Sequence, residues 1–357
     1  MSTATPKPAP SRLIRILRVV MAMVAITCMV IFVPWNLLFA LVSPLPDSIQ
    51  EEMEDAIGFG LDGIIVYVDQ DGQEPAFYTA GWKNRAEQIP ADPASYFKIA
   101  SISKLYVAAA IVKLEHQGSI SLDQNLSEFF PHLKGRIEHA ERITLKQMLQ
   151  HRSGIPNLTD HPDFPWSDPP KNNQEGLAYA LDLPAEFEPG SDYAYSNTNY
   201  LLLAELIDQV SGMPHFQYIK ESILDSLGLT HTYATMRDVA PNEMMSGYYL
   251  GYEPAITDHD YGSMIATAED VGIFLRALNE GSFWSEAEHA LYASVYVFEH
   301  TGLLPGYQSF AKYYPDIDAV VIQFVNTSGG DMWSQAEISY NRIARILRKE
   351  AEATSSQ

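Results

Sequence analysis

The order of strand-like and helix-like segments is the feature that most limits how this chain can fold. Two β-rich runs near the start, 63–68 and 76–82, flank a turn at Asp71-Gly72, which is the pattern of a hairpin. A helical middle follows, and β-rich runs return at 294–299, 306–314 and 319–326 before an amphipathic helix at 333–349. We therefore expect an α+β fold (an α/β sandwich). It would be an antiparallel sheet flanked by helices, with an all-helical region inserted at about 115–290.

The N-terminal segment predicts a membrane anchor. A basic tail over residues 1–18 precedes an uncharged, largely apolar run at 19–42, long enough to span a bilayer. The run exceeds the core of a signal peptide, and its end at Leu41-Val42-Ser43-Pro44 is a poor cleavage site. Because positive residues stay cytoplasmic, we expect a single-pass protein of the cell (inner) membrane. A linker at 43–56 would lead to a periplasmic or extracellular domain at 57–350 and a short tail at 351–357.

Charge excludes one class of partner. The formal net charge is -22, and all four basic residues of the tail, Lys7, Arg12, Arg15 and Arg18, precede the first acid. The rest of the chain carries 19 basic and 45 acidic residues, or -26. Nucleic acid is therefore not an expected partner, since phosphate binding needs a basic surface.

Cysteine and histidine usage predicts no metal site. The single cysteine, Cys28, lies inside the apolar run, so a disulfide within the chain is impossible. The residues before it lack the small residue expected of a lipidation site, which favours a membrane-buried thiol. Four histidines are possible metal ligands by residue type, but their spacing does not suggest a metal site. We interpret them as surface or turn residues: His151, His161, His231 and His259.

A candidate nucleophile occurs where a helix begins. An apolar run at 97–100 ends at Ser101, which suits a helix N-cap or first turn. Lys104 follows one turn later, so its amine would lie on the same face as the Ser101 hydroxyl. Apolar surroundings would lower the pKa of the ammonium, and the neutral amine could then accept the serine proton. The pattern Ser-x-x-Lys alone is weak, since it also occurs at Ser95/Lys98 and Ser309/Lys312, but only the middle copy opens a long helix.

Two further groups add to this candidate. Tyr195-Ser196-Asn197 precedes a helix, and its phenol could share the serine proton, with the ammonium lowering the phenol's pKa. A packing tyrosine and an Asx-type turn would explain the same residues. His300-Thr301-Gly302 lies at the end of a β-rich run, where glycine lets a substrate backbone approach closely and the next N–H could serve an oxyanion hole. A plain strand end is the alternative.

Taken together and in this order, these three groups resemble the signature motifs of the serine β-lactamase/penicillin-binding superfamily. The closest subset comprises class C β-lactamases, D-Ala-D-Ala carboxypeptidases and related esterases and D-aminopeptidases. Supporting phrases are Ile143-Thr144-Leu145 before the segment 151–156, Phe187 to Gly190, and the segment 301–306. The resemblance covers residues 57–346.

This resemblance implies an acyl-enzyme mechanism without metal or organic cofactor. Ser101 would attack a carbonyl with help from Lys104 and Tyr195, while Asn197 would hold the acyl side chain. The oxyanion hole would consist of the N–H groups of Ser101 and Leu303, and the substrate would also contact His300, Thr301 and Gly302.

One departure bears on the substrate. Class C β-lactamases usually carry lysine where this chain has His300, and Glu299 replaces the glycine common before it, an acid that could raise the pKa of His300. The first hypothesis is thus a membrane-anchored serine hydrolase acting on D-amino-acid peptides, amides or esters. A class C-like β-lactamase is the second, and a catalytically weak penicillin-binding sensor or scaffold the third.

Overall fold

A computed structural model describes residues 11–252, 255, 256 and 261–355; His259 and the first ten residues of the basic tail lie outside this range. The strands are β1 (Gly63–Gln70), β2 (Ala76–Asn84), β3 (Ile89–Pro90), β4 (Phe97–Lys98), β5 (Thr232–Tyr233), β6 (Tyr248–Tyr249), β7 (Ile265–Ala266), β8 (His300–Leu304), β9 (Tyr307–Tyr314), β10 (Ala319–Val325) and β11 (Thr327–Ser328). The helices are α1 (Arg12–Phe32), α2 (Trp35–Val42), α3 (Ile49–Gly58), α4 (Ser103–His116), α5 (Leu126–Phe129), α6 (Leu145–Leu149), α7 (Asn173–Leu177), α8 (Asn197–Ser211), α9 (His215–Ile219), α10 (Asp225–Leu227), α11 (Ala268–Glu280), α12 (Glu286–Val295) and α13 (Met332–Ser355).

One six-stranded sheet joins the two ends of the chain. Its order is β3-β2-β1-β10-β9-β8, and its neighbouring strands are antiparallel. The predicted hairpin is confirmed, with Ile65 of β1 opposite Thr79 of β2. Strands β1 and β10 lie at the centre, and their runs of valine and isoleucine are buried on both faces, as expected for strands covered by helices on either side.

Two apolar cores hold the helices to this sheet. On one face, α3 and α13 pack through residues such as Met53 and Ile343 against Val321 of β10. On the other, α4 and α11 pack with the helical region, where Phe274 joins Tyr67 of β1 in the larger cluster. Burying a side chain of this size contributes about 1.5–3 kcal/mol. The sheet therefore lies between a two-helix layer and the larger helical region.

The predicted boundary between linker and domain needs correction. Helix α3 falls mostly inside the expected linker at 43–56, yet Ile49 and Met53 are buried against the sheet. Its amphipathic spacing, with Ser48 accepting a hydrogen bond from the N–H of Glu51, makes it part of the folded unit. Helix α3 therefore belongs to the folded domain, and the predicted domain start at 57 is too late.

The N-terminal segment forms two helices, α1 and α2, and the apolar run at 19–42 is divided between them. Helix α1 contains an 18-residue window of mean hydropathy 2.3 with none of it buried, so length and composition would let it cross a membrane. Cys28 is exposed on this helix. The chain breaks at Pro34, which lacks an N–H for a continuing helix. The second helix, α2, contacts α13, and its Ala40 is buried.

Two further predictions about secondary structure are wrong. The segment 294–299 is not a strand, because α12 reaches Val295 and β8 starts only at His300. A capping box formed by Ser285 and Glu288 starts α12. The inserted region is not all helical either, since β7 pairs with both β4 and β5 in a small sheet and β6 pairs with β11. These strands have two residues each, too few to show alternation in a sequence.

Candidate active site

Ser101 lies in a tight turn between strand and helix. It belongs to a 3-10 turn at Ala100–Ile102 directly before α4. Of the two positions that the sequence suggested, N-cap or first turn, the N-cap of α4 is therefore wrong. Ala100 has a φ of 50°, a left-handed conformation that costs energy for a residue other than glycine. Its N–H donates to Ser263 Oγ at 2.8 Å, which helps to hold the turn. The Ser101 hydroxyl is partly exposed.

Lys104 lies beside Ser101, as the spacing predicted. Its Nζ is 3.1 Å from Ser101 Oγ and donates to Asn197 Oδ1 at 2.8 Å. The residue is only 6% exposed, and burial lowers the pKa of the ammonium to about 7. A large fraction of this amine is therefore neutral near pH 7 and able to accept a proton.

Tyr195 approaches Ser101 from the other side. Its O–H donates to Ser101 Oγ at 2.7 Å. Burial raises the pKa of the phenol to about 12, although the hydrogen bond with Ser101 opposes this rise. The expectation that the ammonium would lower this pKa is therefore wrong, because Lys104 is itself desolvated. Tyr195 keeps its proton at neutral pH and acts as a hydrogen-bond donor.

Asn197 completes this cluster at the first turn of α8. Its Oδ1 accepts from Lys104, and its Nδ2 donates to Thr159 Oγ1 at 2.9 Å. Its backbone N–H donates to Asn157 Oδ1 at 2.9 Å. Asn157 and Thr159 were not identified from the sequence, although they directly follow the recognised phrase at 151–156. They fix Asn197 so that its carbonyl oxygen is aimed at the amine.

His151 lies in a turn, as one of the two predictions had it, but it is not a surface residue. It is 3% exposed and stacks on the Tyr195 ring with centroids 4.5 Å apart. Its Nδ1 accepts from the N–H of Ser196 at 3.1 Å. Burial, helped by the nearby Lys104, lowers the pKa of His151 to about 3, so the ring is neutral. Its membership of the phrase 151–156 was the sequence signal that could have identified it.

His300 begins β8 and turns its ring toward the cluster. The ring centroid is 6.3 Å from that of Tyr195. Its Nδ1 lies 2.5 Å from the carbonyl oxygen of Thr301, and its Nε2 lies 3.1 Å from Tyr296 OH. Burial and the charge of Lys104 lower the pKa of His300 to about 4. The expected rise caused by Glu299 is wrong, because that carboxylate pairs with Lys312 at 3.0 Å.

Gly302 lets β8 lie directly against the turn that carries Ser101. A Cβ at this position would lie 2.3 Å from Ser309 Oγ, 2.6 Å from the carbonyl oxygen of Ile99 and 2.8 Å from Ala100 Cβ. No side chain fits there without moving the backbone. Its neighbours Thr301 and Leu303 are exposed on the same strand. An oxyanion hole formed by the N–H groups of Ser101 and Leu303 stays a prediction.

His231 and His161 lie away from this cluster. The His231 Nδ1 is 3.0 Å from Tyr96 OH, and the His161 ring packs against Tyr179. Within the described ranges, no group of three histidine, cysteine, aspartate or glutamate side chains could hold a metal ion. The chemistry that this cluster offers is proton transfer around a serine hydroxyl, between one neutral amine and one protonated phenol.

Comparisons with known proteins identify the family and the fold. The family model described as Beta-lactamase matches residues 49–296, a range that ends just before β8. The protein PbpX of Bacillus subtilis (strain 168) is 26% identical over 316 residues, which cover 82% of this chain and 76% of that protein.

Two solved structures are similar in fold. The D-amino acid amidase from Ochrobactrum anthropi SV3, complexed with D-phenylalanine, has a TM-score of 0.74 at 20% identity, covering 85% of this chain and 98% of that one. A penicillin binding protein from Bacillus halodurans has a TM-score of 0.70 at 24% identity, covering 84% and 98%. At these identities the likeness establishes the fold, which is β-lactamase/transpeptidase-like.

Proposed function

This chain belongs to the beta-lactamase family, and we propose that it is a membrane-anchored serine hydrolase that cleaves D-amino-acid peptides, amides or esters through an acyl-enzyme. The observation that carries this proposal is the environment of Ser101 Oγ. Lys104 Nζ at 3.1 Å and Tyr195 OH at 2.7 Å both lie within hydrogen-bond reach of it. A hydroxyl held between a neutral amine and a phenol meets the geometric requirement for an activated nucleophile.

Acylation follows from the protonation states of these groups. The neutral amine of Lys104 accepts the Ser101 proton as Oγ attacks the substrate carbonyl carbon, and the carbonyl oxygen becomes an oxyanion held by the N–H groups of Ser101 and Leu303. When the tetrahedral intermediate collapses, Tyr195 donates its proton to the leaving nitrogen or oxygen. The proton gained by Lys104 then returns to the phenolate, so that no net proton is lost.

Deacylation uses the same groups in reverse roles. A water molecule gives a proton to the base, attacks the ester carbonyl and releases the acid, and Ser101 regains its proton. Asn197 positions Lys104 through its carbonyl oxygen throughout, since its amide is fixed by Thr159. The similarity in fold to the D-amino acid amidase from Ochrobactrum anthropi supports D-amino-acid amides as a substrate class.

The contacts around residues 35–44 support a retained anchor. Arg342 of α13 donates to the carbonyl oxygens of Ser43 and Pro44 at 2.8 and 2.7 Å. Ala40 of α2 is buried in the same region. Cleavage of α1 and α2 as a signal peptide would remove side chains that belong to the packed structure. The domain would then lie outside the cytoplasm, with the basic residues near α1 inside.

Intact-mass spectrometry tests the catalytic proposal. The full-length protein in detergent, its Ser101→Ala variant and a Ser103→Ala control are each exposed to a fluorophosphonate and, separately, to a penicillin. Ser103 is the neighbouring hydroxyl, which accepts a backbone hydrogen bond from Met264 at 2.9 Å. We expect one phosphonate adduct on the wild type and the control, and none on Ser101→Ala.

The penicillin arm separates the alternatives. A persistent adduct on Ser101 supports a penicillin-binding peptidase or amidase, whereas rapid formation and loss of the adduct identifies a β-lactamase. Absence of both labels on a correctly folded wild type would refute the catalytic proposal and leave a scaffold.

A further inference from the structure

The hydrogen bonds of His300 define its tautomer. A carbonyl oxygen can only accept, so Nδ1, which lies 2.5 Å from the carbonyl of Thr301, must carry the ring proton. In the neutral ring, Nε2 is then an acceptor, and Tyr296 OH at 3.1 Å donates to it. The phenol of Tyr296 keeps its proton for this purpose, because burial raises its pKa. Both nitrogens of His300 are therefore already used within the protein.

Tyr296 is held in this position from several sides. It follows the last residue of α12, and its N–H closes that helix by donating to the carbonyl oxygen of Tyr292 at 2.9 Å. Its ring packs against Tyr200 with centroids 5.4 Å apart and stacks on His300 at 6.2 Å. The pair of Tyr296 and His300 is thus a packed unit at the start of β8, and not two surface side chains that meet by chance.

Two lysines near the cluster are already engaged. The ammonium of Lys104 contacts Ser101 and Asn197. Lys312, which follows the β9 residue paired with His300, forms an ion pair with Glu299. The chain as a whole carries a formal net charge of -22, which repels anions over a long range. A substrate carboxylate brought to β8 would gain neither of these two cations, and a charge that loses water without gaining a partner is costly.

From these contacts we infer that Tyr296 is a specificity-determining residue. It occupies Nε2 of His300, so the ring offers no N–H to a substrate, and it thereby restricts the enzyme to substrates whose leaving group is uncharged. The inference rests on the proposed function. It narrows the substrate class to amides, esters and amide-terminated peptides of D-amino acids, and it disfavours peptides that end in a free carboxylate. Tyr296 touches His300 and not the reacting atoms, so its role is one of positioning.

A matched pair of substrates tests this inference. D-Alanyl-D-alanine and D-alanyl-D-alanine amide share the internal D-Ala–D-Ala bond, and cleavage of that bond alone is measured from release of D-alanine or of D-alaninamide. For this bond the two substrates differ in the C-terminal charge of the leaving group. With wild type we expect kcat/KM for the amide to exceed that for the free acid by about tenfold or more. A second measurement compares how strongly each compound slows fluorophosphonate labelling of Ser101, and gives the ratio of their binding affinities. That measurement reports binding even where turnover is slow.

Three variants separate a specificity role from a structural one. His300→Lys supplies a cation, and it should shift the ratio toward the free acid by about tenfold. Tyr296→Phe frees Nε2 of His300, which can then carry the ring proton and donate to a carboxylate. It should therefore also shift the ratio toward the free acid. Tyr292→Phe is the control, since this buried tyrosine donates to the carbonyl of Val297 at 2.8 Å and makes no hydrogen bond to His300. Its ratio should equal that of the wild type.

Two outcomes would overturn the inference. One is a wild type for which the free acid is as good a substrate or competitor as the amide. The other is an equal effect of Tyr296→Phe and Tyr292→Phe on the ratio. Failure of the proposed function gives a different result, because Ser101 would then not be labelled by the fluorophosphonate at all.

Discussion

His151 and Tyr195 stack with their ring centroids 4.5 Å apart, and the same histidine accepts the N–H of Ser196, the next residue after the tyrosine. The histidine itself has a φ of 55°, in the left-handed region. One buried ring therefore fixes both the plane of the Tyr195 phenol and the backbone that carries it. The direction in which the phenol points at Ser101 depends on His151, although His151 does not touch the serine.

We expect His151→Ala to lower kcat about tenfold or more by misplacing Tyr195, with a smaller change in KM. It should also lower stability by roughly 1–3 kcal/mol, because it opens a cavity and leaves the Ser196 N–H unpaired. His151→Asn keeps a hydrogen-bond acceptor and tolerates the left-handed backbone, so its kcat and its stability should fall less. Steady-state kinetics and thermal unfolding measure the two effects. Equal kcat in all three proteins would show that the stack does not position Tyr195.

The pH dependence should be governed by Lys104. Its pKa is about 7, and the base must be neutral, so kcat/KM should rise tenfold per pH unit below about 7 and level off above it. Tyr195, with a pKa of about 12, must stay protonated, so no fall is expected below pH 10. An N-acetylated ester is the substrate, because it has no group that titrates in this range.

Two histidines cannot produce this rise, which makes the assignment testable. The pKa of His151 is about 3 and that of His300 about 4, so both rings are neutral throughout. Tyr195→Phe should lower the plateau and leave the midpoint near 7 unchanged. A midpoint near 4 in the wild type would assign the base to His300 and contradict the role of Lys104.

Lys104→Met should stabilise the protein while it abolishes acylation. The folded-state pKa lies below the unfolded value of 10.5, so burial of the charge costs stability at neutral pH, and this cost disappears as the pH rises toward 10.5. Allowing for the lost hydrogen bonds, we expect a gain of roughly 1–3 kcal/mol at pH 7 that shrinks by pH 10. Chemical unfolding of the variant and the wild type at both pH values measures this.

Lys113, on the same helix, is the matched control. It donates to the carbonyl of Phe283 at 3.3 Å and lies 3.6 Å from Glu288. Lys113→Met removes a paired charge, so it should not stabilise the protein and should leave labelling of Ser101 intact. If both variants changed stability equally, desolvation of Lys104 would not be the cause.

Neighbouring residues on one element could be predicted from the sequence, but the burial that sets the protonation state of each side chain could not. The Ser101 and Lys104 pair depends on one helical turn, and the hairpin of β1 and β2 depends on local alternation and a turn. By contrast, the raised pKa of Tyr195 and the burial of His151 come from packing between segments about fifty residues apart or more. A histidine in a turn can be exposed or buried, and the sequence pattern is compatible with both. Only the packing of the folded chain decides between them.

The errors at 294–299 have a similar origin. The run contains valine, tyrosine and phenylalanine, which favour a strand, yet the capping box of Ser285 and Glu288 begins a helix that continues to Val295. Tyr296 then leaves the helix with its ring directed at His300. The candidate specificity residue was therefore hidden in a segment whose secondary structure was predicted wrongly.

Gly302→Ala should damage the site through backbone contact. The added Cβ would lie 2.6 Å from the carbonyl of Ile99 and 2.3 Å from Ser309 Oγ, so β8 must move away from the turn of Ser101. We expect kcat/KM to fall about 100-fold and stability to fall by roughly 1–3 kcal/mol. In Gly58→Ala, on α3, the Cβ would meet nothing within 4 Å, so activity should be unchanged. Normal labelling of Gly302→Ala would mean that β8 is not needed next to Ser101.

Among the ion pairs near the anchor, the pair of Arg342 and Glu52 should be the one whose disruption lowers stability most. Their atoms lie 2.6 Å apart, the side chains are 7% and 4% exposed, and Arg342 also holds the carbonyls of Ser43 and Pro44. Burial outweighs Arg342 and raises the pKa of Glu52 above its ordinary value. Removing the arginine leaves a buried carboxylate without compensation. Arg342→Met should therefore lower stability by roughly 3–5 kcal/mol at pH 8.

The direction of the pH effect distinguishes this cause from lost packing. Glu52 takes up a proton as the pH falls through its raised pKa, so the loss in Arg342→Met should be smaller at pH 5 than at pH 8. The double variant with Glu52→Gln should recover much of the loss at pH 8. The exposed pair of Arg348 and Asp316, 39% and 52% exposed, is the control, and Arg348→Met should cost less than about 1 kcal/mol. The stability of all four proteins is measured by thermal unfolding in detergent. If Arg342→Met lost equal stability at both pH values, and Glu52→Gln did not restore it, the effect would come from packing of the arginine stem.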